Sequence, residues 1–291
     1  MSFKICRWSE LSTGQIAELG NAMASFYVHP PASYYPTANQ VAQRYNPKEQ
    51  PFHCDLVGRV SSGTTVLEVG CGTAHLCPYI EGKGGTYTGL DYSETLLRDN
   101  RQRFPQARFF QIGTPVLEAF DIVASLYTIE HVADPLTYLE SLWRYCRPGG
   151  LIGIICPEFI DSPGFPLSIF FGRTPRRLRQ KLQAGDFMDA CRHVVDWKIR
   201  APLWKRRLQS STPGAFWLNL APGVLHGAGY SIDADAIHLV RLKDLAWFFR
   251  QKNAEIVQTS TEMSDITPDV LEHNCYLLVR KPSTAAKAAD Q

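Results

Sequence analysis

The stretch Thr65-Val66-Leu67-Glu68-Val69-Gly70-Cys71-Gly72-Thr73-Ala74 decides the fold. Its first five residues make a short apolar run that reads as a buried strand, and Gly70 ends it on a tight turn. Glycine lacks a Cβ, so a Gly-x-Gly turn bends sharply, lets a ligand approach the backbone and leads into a helix N-terminus. Asp91 follows Gly70 by 21 residues, at the end of a second run, Thr86-Tyr87-Thr88-Gly89-Leu90. A carboxylate there is placed to accept both hydroxyls of a ribose. Strand, glycine turn, helix, strand and terminal Asp, in that order, point to a nucleotide-like cofactor.

The same alternation extends outward. Ser93 predicts a cap for a helix carrying Leu96 and Leu97. Residues 108–112 predict a third strand and 121–126 a fourth. Asp134-Pro135 starts a helix with Leu139 and Leu142 on one face, Pro148-Gly149-Gly150 stops it, and 151–155 reads as a fifth strand. Late in the chain, Leu242, Leu245, Phe248 and Phe249 mark another helix, followed by strands over 255–259 and 275–280. Short apolar strands alternating with helices mean an α/β domain with a mostly parallel, doubly wound sheet.

Glu68 separates two cofactor classes. An acid beside the turn opposes a pyrophosphate and favours a ligand with an ammonium group, as in S-adenosylmethionine. Val66-Leu67-Glu68-Val69-Gly70-Cys71-Gly72-Thr73 closely resembles the first motif of the class I S-adenosylmethionine-dependent methyltransferases. Gly89-Leu90-Asp91 is similar to their second, Phe120-Asp121-Ile122-Val123 to the signature of their fourth strand, and Arg147-Pro148-Gly149-Gly150 to the turn before the fifth. The resemblance covers 62–156 and, as the family's helix and closing hairpin, 238–281. It implies a Rossmann-like seven-stranded sheet with the last strand antiparallel. It also implies S-adenosylmethionine as cofactor, S-adenosylhomocysteine as product, and a site at Glu68, Gly70, Cys71, Gly72, Asp91, Tyr92, Leu126 and Tyr127. Two departures stand out. Ala74 replaces a third glycine, and the acid that often meets the adenine amine is missing, leaving Thr114 or a backbone carbonyl to serve.

The segment Tyr127-Thr128-Ile129-Glu130-His131-Val132 follows the fourth strand and resembles the Glu-His-Val stretch of the ubiquinone-pathway O-methyltransferases. Methyl transfer to a hydroxyl needs alignment and removal of a proton, and His131 is the candidate general base. Tyr127 stands where some relatives carry an extra carboxylate, so no metal is expected. Cys156-Pro157 resembles a nucleophilic motif of RNA cytosine methyltransferases, but its Pro-Cys companion is absent and a packing thiol is the expectation.

Outside the resemblance lie 1–61, read as a helical arm or cap, and 157–236, read as a mainly helical inserted lid over the ligand crevice. The sheet domain is then 62–156 plus 237–282, and 283–291 is a small, polar, flexible tail. From 160 to 210 there are eleven Lys and Arg against four Asp. That surplus of seven leaves the remainder at −5, since the whole chain carries +2. Arg176, Arg177 and Arg179 are the candidate contacts for an anionic substrate, a carrier phosphate or a membrane surface.

With 291 residues, 45% hydrophobic and 20% charged, the composition is that of an ordered globular protein. No apolar run approaches a membrane span or a secretory h-region, and the eight cysteines form no CxxC pair, so the expectation is a cytoplasmic protein. The reading is a methyltransferase for a small-molecule acceptor, an oxygen first, with no nucleic-acid partner. An RNA or protein methyltransferase docking through the basic insertion is the alternative.

Overall fold

The computed structural model describes residues 5–29, 50–163, 178–226, 234–263, 266 and 273–283. The chain enters on β1 (Ile5–Arg7) and α1 (Thr13–Val28). Ser12 starts α1 by accepting the Gln15 N–H, and the Gln15 side chain returns a contact to Ser12, a reciprocal cap. Next come α2 (Pro51–Gly58), β2 (Thr65–Val69), α3 (Cys77–Glu81), β3 (Thr86–Asp91), α4 (Glu94–Arg103) and β4 (Arg108–Gln111). Ser93 Oγ accepts the Leu96 N–H at the start of α4. After β5 (Phe120–Leu126), Asp134 accepts the Thr137 N–H and Pro135 takes the first position of α5 (Pro135–Tyr145). β6 (Cys146–Pro157) then crosses the molecule.

The insertion supplies α6 (Leu178–Gln183), α7 (Phe187–Val195), α8 (Ala201–Gln209) and β7 (Trp217–Asn219). The chain ends on β8 (His238–Leu239), α9 (Leu242–Gln251), β9 (Glu255–Thr259) and β10 (Asn274–Arg280). The main sheet has the order β4-β3-β2-β5-β6-β10-β9, and β10 runs antiparallel to both neighbours. This is the Rossmann-like seven-stranded arrangement with an antiparallel last strand. The order reverses between β2 and β5, whose carboxyl ends carry the glycine turn and the Glu130-His131 segment. That reversal is where such sheets open a ligand crevice.

Two apolar layers sandwich the sheet. Leu67, Val123, Ile152 and Leu277 face one side with Leu139 and Leu245. Val66, Ile122, Ile155 and Leu278 face the other with Leu56 and Leu97. Covered on both sides, the central strands are apolar almost throughout.

The insertion is not purely helical. β7 joins β1 and β8 in a second, three-stranded antiparallel sheet, with Ile5 opposite Asn219 and Arg7 opposite Trp217. Leu19 and Met23 of α1 pack on Leu218, Ala234 and Ile237. The N-terminal arm and the insertion therefore build one cap.

Candidate active site

The glycine turn is held open by its own backbone. Gly70 (φ +79°) and Gly72 (φ +49°) both take the left-handed conformation, and the Gly70 and Cys71 amides donate to the Leu90 carbonyl at 2.8 and 2.9 Å. A Cβ on Gly70 would lie 2.2 Å from Thr128 Oγ1, so this position excludes any side chain. Ala74, in the third glycine's place, is also left-handed (φ +53°) and buried, a conformation costing a non-glycine residue roughly 1–2 kcal/mol.

Asp91 closes the cradle. Its Oδ2 accepts the Gly72 N–H at 2.8 Å and its Oδ1 accepts the Ser93 N–H at 2.9 Å. Burial raises its carboxyl above the usual range, against the pull of these donors. A carboxylate has about four lone-pair sites, so it keeps acceptor capacity for a ligand hydroxyl beside these donors.

Glu68 sits behind the turn, not on the cavity wall. It is 1% exposed; Oε2 accepts the Tyr87 hydroxyl, and Oε1 has no hydrogen-bond partner. Burial pushes its carboxyl up to about 8, so it is mostly protonated at neutral pH. The expectation of an ionised acid meeting the ligand directly is corrected here.

One cavity of about 1530 Å³ runs from this cradle to the cap. Gly70, Cys71, Gly72, Asp91, Tyr92, Leu126 and Tyr127 line it. Ile112 and Gly113 also line it, whereas Thr114 is exposed and lies outside the lining. Ile16, Ala17, Met23 and Ala24 of α1 add an apolar stretch to its lining. Ligand pockets usually hold roughly 300–1,000 Å³, so this one has room for two molecules side by side.

His131 lies on the cavity between two acids. Its Nε2 is 3.7 Å from Glu130 Oε1, and its Nδ1 is 3.5 Å from Asp235 Oδ2. Tyr27 donates its hydroxyl to the same Asp235 oxygen at 2.9 Å and sets its ring edge-on to the imidazole at 5.7 Å. An imidazolium formed there would face carboxylates on both sides. Sequence reasoning missed Asp235 and Tyr27, which join His131 only through the tertiary fold.

Other groups of the site and core have different surroundings. His53 and His75 line the cavity, with burial lowering them to about 3 and 4, so both are neutral. His238 is a buried core histidine whose Nδ1 lies 3.3 Å from the Ile129 carbonyl, and burial lowers it to about 3. Cys156 is fully buried, its Sγ 3.4 Å from that of Cys275, and its thiol is raised well above the usual range; this is a packing thiol. Arg179 is exposed on α6 and does not line the cavity, and Arg176 and Arg177 lie outside the described residues. Among the described residues no three His, Cys, Asp or Glu side chains form a metal-binding group.

The family model described as a methyltransferase domain matches residues 67–152, which span β2 to β6 and carry the whole cradle. Residues 67–152 of this chain match a methyltransferase domain. Two relatives are similar to part of this chain. A ubiquinone biosynthesis O-methyltransferase of Pseudomonas putida is 35% identical over 104 residues, covering 32% of this chain and 45% of that protein. A demethylmenaquinone methyltransferase of Listeria welshimeri is 30% identical over 119 residues, covering 37% and 50%. The chain thus spans about half the length of the curated relatives it matches. The solved 1,6-didemethyltoxoflavin-N1-methyltransferase of Burkholderia thailandensis superposes with a TM-score of 0.55 at 17% identity, covering 94% of this chain and 92% of that one. At that identity the methyltransferase fold is what the two chains share.

Proposed function

We propose that this protein transfers a methyl group from S-adenosylmethionine to a proton-bearing oxygen of a small molecule. The observation that carries the reading is the continuity of the site: the Gly70–Asp91 cradle and the His131–Asp235 pair line a single cavity.

The residues fit the cofactor. Asp91 is half-buried, lines the cavity and keeps acceptor capacity for a ribose hydroxyl. Gly72 leaves open space for a ligand against the backbone. Glu68 has a buried, unpaired oxygen behind the turn, a reservoir of negative charge once its proton leaves. Bound there, S-adenosylmethionine supplies a methyl group activated by a positively charged sulfur. The chain's own contributions are alignment and proton removal. His131 takes the acceptor's proton, Glu130 and Asp235 balance the resulting charge, and Tyr27 fixes Asp235. The apolar wall of α1 suits an acceptor with a large hydrophobic body, in keeping with the quinone-pathway names of the relatives.

The test is a search for a methylated product by mass spectrometry, using isotopically labelled S-adenosylmethionine and fractionated small-molecule extract. With the acceptor found, His131→Ala should lower kcat by about 10²- to 10⁴-fold and leave cofactor affinity unchanged. Unchanged kcat would remove His131 as the base.

A further inference from the structure

The inserted helices turn an apolar face outward. From α7 through a wide turn (Asp196–Arg200) into α8 the chain is one helical run, Phe187 to Gln209. Phe187, Met188, Val195, Trp197, Ile199 and Leu203 are between 44% and 86% exposed along it. Five exposed positions recur every fourth residue: Phe187, Cys191, Val195, Ile199 and Leu203. In a straight α-helix that spacing drifts by about 40° per step. The wide turn, with its i→i+5 pairing, holds more residues and takes back part of the drift. Ala190, Asp196, Ala201 and Leu208 are buried on the inner side.

Charge accompanies the stripe. Residues 178–209 hold eight Lys and Arg and three Asp, so this segment is +5 while the rest of the chain sums to −3. Arg192, Lys198, Arg206 and Arg207 are exposed among the apolar residues. Lys198 Nζ stands 3.8 Å from the Trp197 ring centre, an aromatic and a cation side by side on the surface.

We infer that this face docks on the surface of an anionic lipid bilayer, with the helical run lying flat among the headgroups. Apolar side chains beside Lys and Arg on a helix too polar to span match that interface: the former enter the acyl boundary and the latter meet phosphates. A second copy of this chain fits poorly, because a symmetric contact sets +5 against +5. A nucleic acid would use the cations and leave the apolar stripe in water.

The face is also tied to the cavity. Lys205 Nζ donates to the carbonyls of Ser162 and Pro163, and Gln209 Nε2 to the carbonyl of Ile160 at 3.0 Å. Ser162 and Phe159 line the cavity, so the docked helix braces a stretch of its wall.

Cosedimentation of the full chain with vesicles of pure phosphatidylglycerol, and separately of pure phosphatidylcholine, tests this. Binding should favour phosphatidylglycerol by at least about tenfold and weaken as salt rises. A cation near an anionic surface is worth about 1 kcal/mol, or roughly fivefold. Lys198→Gln with Arg206→Gln should therefore weaken binding about 30-fold. Phe187→Ser with Met188→Ser should weaken it too, and both double variants should keep the parent's thermal midpoint, since all four residues are exposed. Equal binding to both lipids, no binding, or either double variant binding like the parent would overturn the proposal. So would a concentration-dependent dimer in ultracentrifugation that Met188→Asp dissolves, which would assign the face to a second copy.

Discussion

Replacing Glu68 with glutamine isolates one buried proton. Burial raises this carboxyl from about 4.5 to about 8. Between those values the folded protein holds a proton that the unfolded chain has released. Stability must then fall as pH rises through that window, and level off above it. At about 1.4 kcal/mol per pH unit the whole span is worth up to about 5 kcal/mol, and relaxation around the charge reduces it. The glutamine amide has the shape of the protonated acid and no proton to lose, so its contribution is flat. His53 and His75, lowered to about 3 and 4, act with the opposite slope: their contribution grows as pH rises toward about 6.5. Both proteins share that slope, so it cancels in the difference. Urea unfolding of parent and Glu68→Gln over pH 5 to pH 9 reads the difference directly. The parent should lose about 2–5 kcal/mol relative to the variant across that range. Parallel stability profiles would show that Glu68 is ionised in the folded state at neutral pH, and would refute the assignment of a protonated acid behind the turn.

Asp91→Ala should weaken S-adenosylmethionine binding by about 1.5–3 kcal/mol, the range for hydrogen bonds to a charged group; unchanged affinity by calorimetry, in a folded variant, would remove Asp91 from the site. Gly70→Ala combines a left-handed backbone with a Cβ 2.2 Å from Thr128 Oγ1 and should cost about 2–5 kcal/mol. Gly72→Ala has the strained backbone but open space around the Cβ and should cost only about 1–2 kcal/mol; equal losses in denaturant unfolding would contradict the geometry. Asp235→Asn removes one of the charges facing His131 and should raise the barrier to turnover by about 1.5–3 kcal/mol, lowering kcat roughly 10- to 150-fold. Tyr27→Phe keeps the ring contact and should cost about 0.5–1.5 kcal/mol; a kcat unaffected by either change would leave His131 without these supports.

Local chemistry made the methyltransferase domain legible. The Ser93 and Asp134 caps, the glycine turn and the apolar runs each act over a few residues, and β2 to β5 match their sequence readings to within about one residue. β6 begins at Cys146, earlier than 151, because the Pro148-Gly149-Gly150 stretch still pairs: the Gly149 N–H donates to the Lys281 carbonyl, and the Lys281 N–H to that of Gly150. Glu68 was misread for a different reason. Val66, Leu67, Glu68 and Val69 are all buried, since both faces of the sheet are covered, and an unbroken buried run carries no clue to which side the acid takes. β1 and β7 are three residues each, too short for any periodicity. The pairing of Tyr27 with Asp235 spans 208 residues, and nothing local to either announces it.

The pairing of β1 with β7 also divides the molecule's evolutionary freedom. The cavity lining drawn from Val69 to Tyr127 belongs to the sheet, while other lining residues come from α1, Phe159, Ser162 and Asp235. Exchanging the arm and the insertion together for those of another protein of this fold would therefore redraw that part of the cavity lining and leave the cradle intact. Exchanging one alone would strand an edge of three residues, since Ile5, Cys6 and Arg7 pair only with Asn219, Leu218 and Trp217 among the described strands. The two ends of the cap are bound to change as a pair.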